Sequence, residues 1–218
     1  MIVMRPVLEM CVPEGFDLWP VAAVEPYGFL PLGGQLGPAE VGAAVMALAA
    51  GNNVDPDDDH HPPRPADPLG GFLHGLLTMD PLFASGGLQV TDTATGTTLS
   101  PGCCNGLDER QDWFEVIDGG WAGFGHDPSP IAERLGDTIR LTVDADADDS
   151  PRIELPVAEL RPLLAGAERD LTEFLNLAGA WTASHLPAHA DRVTDALARA
   201  LILPAGAVPT GTWAPGPA

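Results

Sequence analysis

Proline and glycine interrupt this chain so often that regular structure must fit between breaks. There are 25 glycines and 23 prolines among 218 residues, more than one residue in five. Proline fixes φ and removes a backbone donor, and glycine adds chain entropy that a helix or strand must freeze out. The expectation is a compact core joined by long irregular connections. The 45% hydrophobic content is enough for that core, and the length suits one domain or at most two small ones. The breaks are densest at 54–68, where five prolines and five aspartates forbid a helix or a central strand. This segment reads as a mobile acidic loop within one domain spanning 1–203. Residues 204–218 read as a loose Pro/Gly tail.

Between the breaks the periodicities are short. Val7–Met10, Phe16–Val24 and Tyr27–Leu32 read as short strands or extended loops. Pro38 opens a helix that runs to about Ala50 and stops at Gly51-Asn52-Asn53. It is apolar on nearly every face, so it belongs inside. Leu69–Met79 is a short apolar helix. Residues 88–100 alternate β-formers on both sides of Thr93-Ala94-Thr95-Gly96, which indicates a β-hairpin. Asp108–Ile117 reads as a helix with Trp113, Phe114 and Ile117 on one face. Trp121–Phe124, Thr138–Val143 and Arg152–Leu155 read as strands, the last two flanking an acidic turn at Asp144–Asp149. Leu160–Trp181 follows the helical period, with Pro162 expected to divide it, and His189–Leu203 forms a final helix. Runs of strands and helices that do not strictly alternate predict an α+β fold, mostly antiparallel, with the C-terminal helices packed on the sheet. Trp113, Phe114, Trp121, Phe174 and Trp181 are the expected aromatic core.

Charge narrows the function. Thirty-one acids oppose ten bases, a formal net charge of −21. All the bases are Arg, a composition that suits a high-GC genome, with halophile adaptation as the other explanation. A protein that tracks phosphates needs a basic footprint, so direct nucleic-acid binding is not expected. An anionic membrane surface would repel the chain. The apolar run Val41–Ala50 is about half of a membrane span. The N-terminus lacks the pattern of a signal peptide, and three cysteines make no secreted disulfide framework. A cytoplasmic protein with reduced thiols is the expectation.

Motifs for phosphate loops, nucleophile elbows and zinc helices are missing, and no cofactor is expected. Three segments carry chemistry-bearing residues. Asp55, Asp57, Asp58, Asp59, His60 and His61 offer oxygen and imidazole in one loop, but without calcium-loop spacing, so no metal is assigned. In Pro101-Gly102-Cys103-Cys104-Asn105-Gly106-Leu107 the cysteine pair precedes a helix start, where a thiol can be activated, with His126 as a possible base. The expected role of these two thiols is nevertheless packing in a tight turn, since buried cysteine acts as a small hydrophobe. Gly125-His126-Asp127-Pro128 places a His and an acid at a strand end, where a plain turn is the simpler reading.

The block from Pro101-Gly102-Cys103-Cys104 through Asp112-Trp113 and Asp118-Gly119-Gly120 to Gly125-His126-Asp127-Pro128 resembles one found in uncharacterised actinobacterial proteins. From Gly120 onward the order of elements is similar to that of SUKH-type immunity proteins. The residues concerned are Gly136-Asp137, Ile139–Val143, Asp144–Asp149, Ile153–Leu155 and Glu173-Phe174-Leu175. The first hundred residues lack that family's usual opening. The resemblance implies an α+β domain that binds and neutralises a toxin.

The charge agrees with a non-catalytic acidic protein that binds a basic protein partner. The expected contact residues are Asp57, Asp58, Asp59, Asp144, Asp146, Asp148 and Asp149. The rival is an enzyme centred on Cys103, Cys104, His126 and Asp127. Nucleic-acid mimicry and a biosynthetic accessory role are further alternatives.

Overall fold

A computed structural model of the chain describes residues 1–54 and 62–203. The fold is α+β with antiparallel strands, as expected, and among the described residues the strands form two four-stranded sheets. The first sheet has the order β2-β1-β3-β4, built from β1 (Ile2–Glu9), β2 (Phe29–Pro31), β3 (Gly86–Asp92) and β4 (Thr97–Leu99). The expected hairpin is β3-β4, with Val90 opposite Leu99. Strand β1 is longer than expected and runs through Pro6. This proline is opposite Leu88 on β3, and its carbonyl accepts from Leu32 N just past the end of β2. Its missing donor thus falls where the β2 ladder stops.

The second sheet is a meander in chain order: β5 (Trp121–Gly123), β6 (Ile131–Leu135), β7 (Thr138–Thr142) and β8 (Arg152–Pro156). Strand β6 is not legible in the sequence, because only Ala132 of Ile131-Ala132-Glu133-Arg134-Leu135 is buried. Its register is set by β7, from Ile131↔Thr142 to Leu135↔Thr138.

Among the described residues five α-helices complete the fold: α1 (Pro38–Gly51), α2 (Pro68–Thr78), α3 (Trp113–Ile117), α4 (Val157–His185) and α5 (Ala190–Ala200). Helix α1 is buried from Val41 through Ala49, as its all-round apolar sequence requires. Buried Asn52 ends it, donating to Leu48 O and Phe83 O and accepting from Phe83 N. Helix α4 is continuous through Pro162, contrary to the expected division. The proline lies early in the 29-residue helix, where it interrupts little of the hydrogen-bond ladder.

Two hydrophobic cores share α4, which at 29 residues is about 44 Å long. Its first half places Leu160, Leu164 and Ala167 with the second sheet, α3 and Met4. Its second half places Leu171, Phe174, Leu175, Ala178 and Trp181 with α1, α5 and Leu8. Buried Arg110 braces the connection. Its Nε donates to Glu168 Oε1 at 2.7 Å, and its other nitrogens donate to Leu107 O and Ile202 O.

The expected aromatic core is corrected at two positions. Trp113, Phe174 and Trp181 are buried, but Phe114 is 44% and Trp121 67% exposed. The segment expected as one helix over Asp108–Ile117 is a 3₁₀ turn at Leu107–Asp112 followed by α3. Within α3 the buried face is Trp113, Val116 and Ile117, three and four residues apart, and Phe114, one step round the helix, faces out. No helix among the described residues is long and apolar enough to cross a membrane.

Candidate functional site

Two tight turns meet at one end of the second sheet. One is Pro101–Gly106, between β4 and the 3₁₀ turn. The other is Phe124–Pro130, between β5 and β6. Gly102 N donates to Phe124 O at 2.8 Å, Cys103 N to His126 O at 2.6 Å, and His126 N to Cys103 O at 3.2 Å. These bonds bridge segments more than twenty residues apart in sequence. The approach is so close that a Cβ on Gly102 would overlap Pro128 O, and one on Gly125 would lie 2.7 Å from Cys103 O. Gly125 (φ 96°), Cys104 (φ 65°) and Asp127 (φ 50°) all occupy the left-handed region, which costs a side-chain-bearing residue strain. Beneath the turns, Trp113 stacks on Phe124 with ring centroids 4.5 Å apart. Buried Asn105 donates to Gly86 O at 2.6 Å and ties the cysteine turn to β3.

With the backbone held this way, the side chains are released to solvent. Cys103 and Cys104 are both exposed, which overturns their expected role as core packing. The buried neighbours Gly102 and Asn105 fill the interior instead. The two sulfurs are 3.3 Å apart. The His126 Nδ1 atom is 3.2 Å from Asp127 Oδ2, and these side chains are 58% and 92% exposed. The ligand atoms of Cys103, Cys104 and His126 all lie within 4.8 Å of one another. The four residues named as the rival site in the sequence are therefore neighbours in space.

The thiols differ in character. Hydrogen bonds from Cys103 and His126 hold the Cys104 thiol below its ordinary range by favouring the thiolate. The same contact pushes Cys103 up, because it is the partner that keeps its proton. Hydrogen bonding to Cys104 and then to Asp127 raises His126 by favouring the imidazolium. Each shift leans toward a thiolate beside an imidazolium, the direction that activates a nucleophilic cysteine.

The acidic turn between β7 and β8 borders this site through Ser129. Asp144 Oδ1 accepts from Ser129 N at 3.2 Å and from Asp146 N at 3.1 Å. Ser129 Oγ donates to Asp146 Oδ2 at 2.6 Å, and Ala145 N donates to Ser129 O. Asp144 and Asp146 thus shape the loops as well as charging them, whereas Asp148 and Asp149 are exposed. Sequence reasoning named both segments but not their adjacency. The serine that joins them gave no signal beyond its place in a Pro-Ser-Pro run. Asp57, Asp58, Asp59, His60, His61 and the tail 204–218 lie outside the described residues.

Comparison of this chain with family models, curated proteins and solved structures returns no match.

Proposed function

We propose that this is a non-catalytic binding protein whose working surface is the edge formed by the loops at 125–130 and 143–150. Its partner is a basic protein. Adjacency carries this reading: Ser129 joins the His126-Asp127 turn to the acidic turn, so Asp127, Asp146, Asp148 and Asp149 project from neighbouring loops of one edge. The chain's charge of −21 adds a long-range attraction for a cationic partner. Neutralisation of a toxin is the form of this function that the resemblance to SUKH-type immunity proteins implies, and a cytoplasmic setting would suit it.

The second reading is an enzyme acting through Cys104, and the closeness of its sulfur to the His126 ring favours it. The two readings separate in one experiment. Immobilised wild type, an Asp148→Asn/Asp149→Asn/Asp146→Asn variant and a Cys103→Ser/Cys104→Ser/His126→Ala variant are exposed to source lysate at low salt. Capture of a basic protein that the acidic variant loses and the Cys/His variant keeps supports binding through the edge. If the acidic variant captures as well as wild type, the binding surface lies elsewhere. If only the Cys/His variant loses the protein's cellular effect while remaining folded, the enzyme reading replaces it.

A further inference from the structure

We propose that Cys103, Cys104 and His126 form a binding site for a thiophilic d¹⁰ metal cation, Zn²⁺ or Cu⁺. The site adjoins the partner surface proposed above and shares the His126-Asp127 turn with it, but its chemistry does not depend on that reading. Two sulfurs and one imidazole form a donor set that selects this class of ion over Mg²⁺ or Ca²⁺, which prefer oxygen. The geometry is close to what such an ion needs. Zinc binds thiolate at about 2.3 Å and imidazole at about 2.0–2.1 Å, so tetrahedral donors sit roughly 3.5–3.8 Å apart. The sulfurs are 3.3 Å apart and the three donor atoms lie within 4.8 Å of one another. Closing on the ion requires side-chain rotations that shift the donor atoms by a few tenths of an ångström to about an ångström.

The backbone is already committed. The ligands come from two turns locked by the reciprocal Cys103–His126 hydrogen bonds and by the close packing of Gly102 and Gly125. Preorganisation of this kind lowers the ordering cost that a flexible Cys/His segment bears on binding. Asp127 supplies an outer-shell partner. Its Oδ2 lies 3.2 Å from His126 Nδ1, the carboxylate–imidazole contact that fixes the tautomer and leaves Nε2 as the ligand atom. All three ligands are exposed, so a fourth position remains open to water or to a donor from a bound molecule. The neighbouring acidic turn favours approach of a cation.

The test uses the full chain, reduced and stripped of metal. Zn²⁺ is titrated in competition with a chelating dye, and Cu⁺ in competition with a Cu⁺-selective chelator. The expected result is one ion per chain, bound tightly enough to withdraw the ion from the chelator in at least one arm, and undisturbed by excess Mg²⁺ or Ca²⁺. Cys103→Ser/Cys104→Ser should weaken this binding by more than about 100-fold. Asp127→Asn should weaken it by about 10-fold through loss of the outer-shell contact. Cys11→Ser should leave it unchanged. A second measurement needs no variant: the bound ion should protect Cys103 and Cys104, but not Cys11, from alkylation. Failure of both ions to compete with their chelators overturns the proposal. So does binding that survives the double serine variant, or an ion that leaves Cys103 and Cys104 as reactive as before.

Discussion

The two loops on either side of Ser129 are built in opposite ways. The Cys/His turns are held by backbone: mutual amide–carbonyl bonds, glycine contacts and a Trp113–Phe124 stack below. Cys103, Cys104, His126 and Asp127 are left exposed on that frame. The acidic turn is held by side chains, with Asp144 capping Ser129 N and Asp146 N, and Asp146 accepting from Ser129 Oγ. Half of its expected contact residues are thereby engaged in the turn itself. A loop fixed by its backbone can present chemistry, whereas a loop fixed by carboxylates must share them between shape and recognition. For the acidic turn, recognition then falls chiefly to Asp148 and Asp149.

The largest effect should come from removing the support under the backbone-held turns. Trp113→Ala should cost about 3–5 kcal/mol of unfolding free energy in denaturant titration. Trp121→Ala, at a position 67% exposed, should change stability little. Equal losses would show that Trp121 is covered by something the described residues do not include. Next in size is Gly102→Ala, whose new methyl group meets Pro128 O. It should cost about 1–3 kcal/mol and separate the thiols from His126, with loss of the His126–Cys103 amide protection in hydrogen exchange. Preserved protection there would show that glycine packing does not hold the turns.

In the acidic turn the expected effects are smaller and depend on geometry rather than charge alone. Asp144→Ala should cost about 1 kcal/mol, while Asp144→Asn, which keeps an acceptor oxygen, should cost less. Asp148→Asn should be neutral for stability. If Asp144→Asn is as damaging as Asp144→Ala, charge rather than the Asx-type turn carries the loop.

An acid away from this edge sharpens the contrast further. Asp170 on α4 is held above the ordinary carboxylate range, first by burial and then by Glu173. Its folded form therefore favours the proton. The charged form is a burden above that range, and the burden is relieved as pH falls through it. Asp170→Asn should stabilise the protein slightly at neutral pH, and the gain should vanish in acid. A gain that persists in acid would mean that the carboxyl group is not the source of the effect.

Much of this architecture follows from local patterns. The hairpin is legible because Leu88, Val90 and Leu99 alternate around a Gly-containing turn. The fate of α1 is legible because its apolar residues leave no polar face. Strand β6 is not legible, because a strand whose one buried residue is Ala132, followed by Glu133 and Arg134, owes its existence to β7. Phe114 misled because it neighbours Trp113 in sequence, whereas the face α3 buries is Trp113, Val116 and Ile117. At the candidate site, each turn is visible as Gly-rich punctuation near a cysteine pair or a His-Asp step. The contact between them is a tertiary fact carried by amide bonds and glycine approach, and these leave no periodic trace. The burial of Gly102 and Asn105, which pushes both thiols outward, belongs to the same class.

The central claim, that the edge beside Ser129 is a charged binding surface, is tested most directly by association kinetics with the captured basic partner. Exposed charges act over about 8 Å at physiological salt and govern mainly the rate of encounter. Between about 50 and 500 mM salt, the association rate should fall at least tenfold while dissociation changes little. Asp148→Asn/Asp149→Asn should slow association in the same way at low salt. Association that ignores salt, or an Asp148/Asp149 variant that associates at the wild-type rate, would contradict the claim.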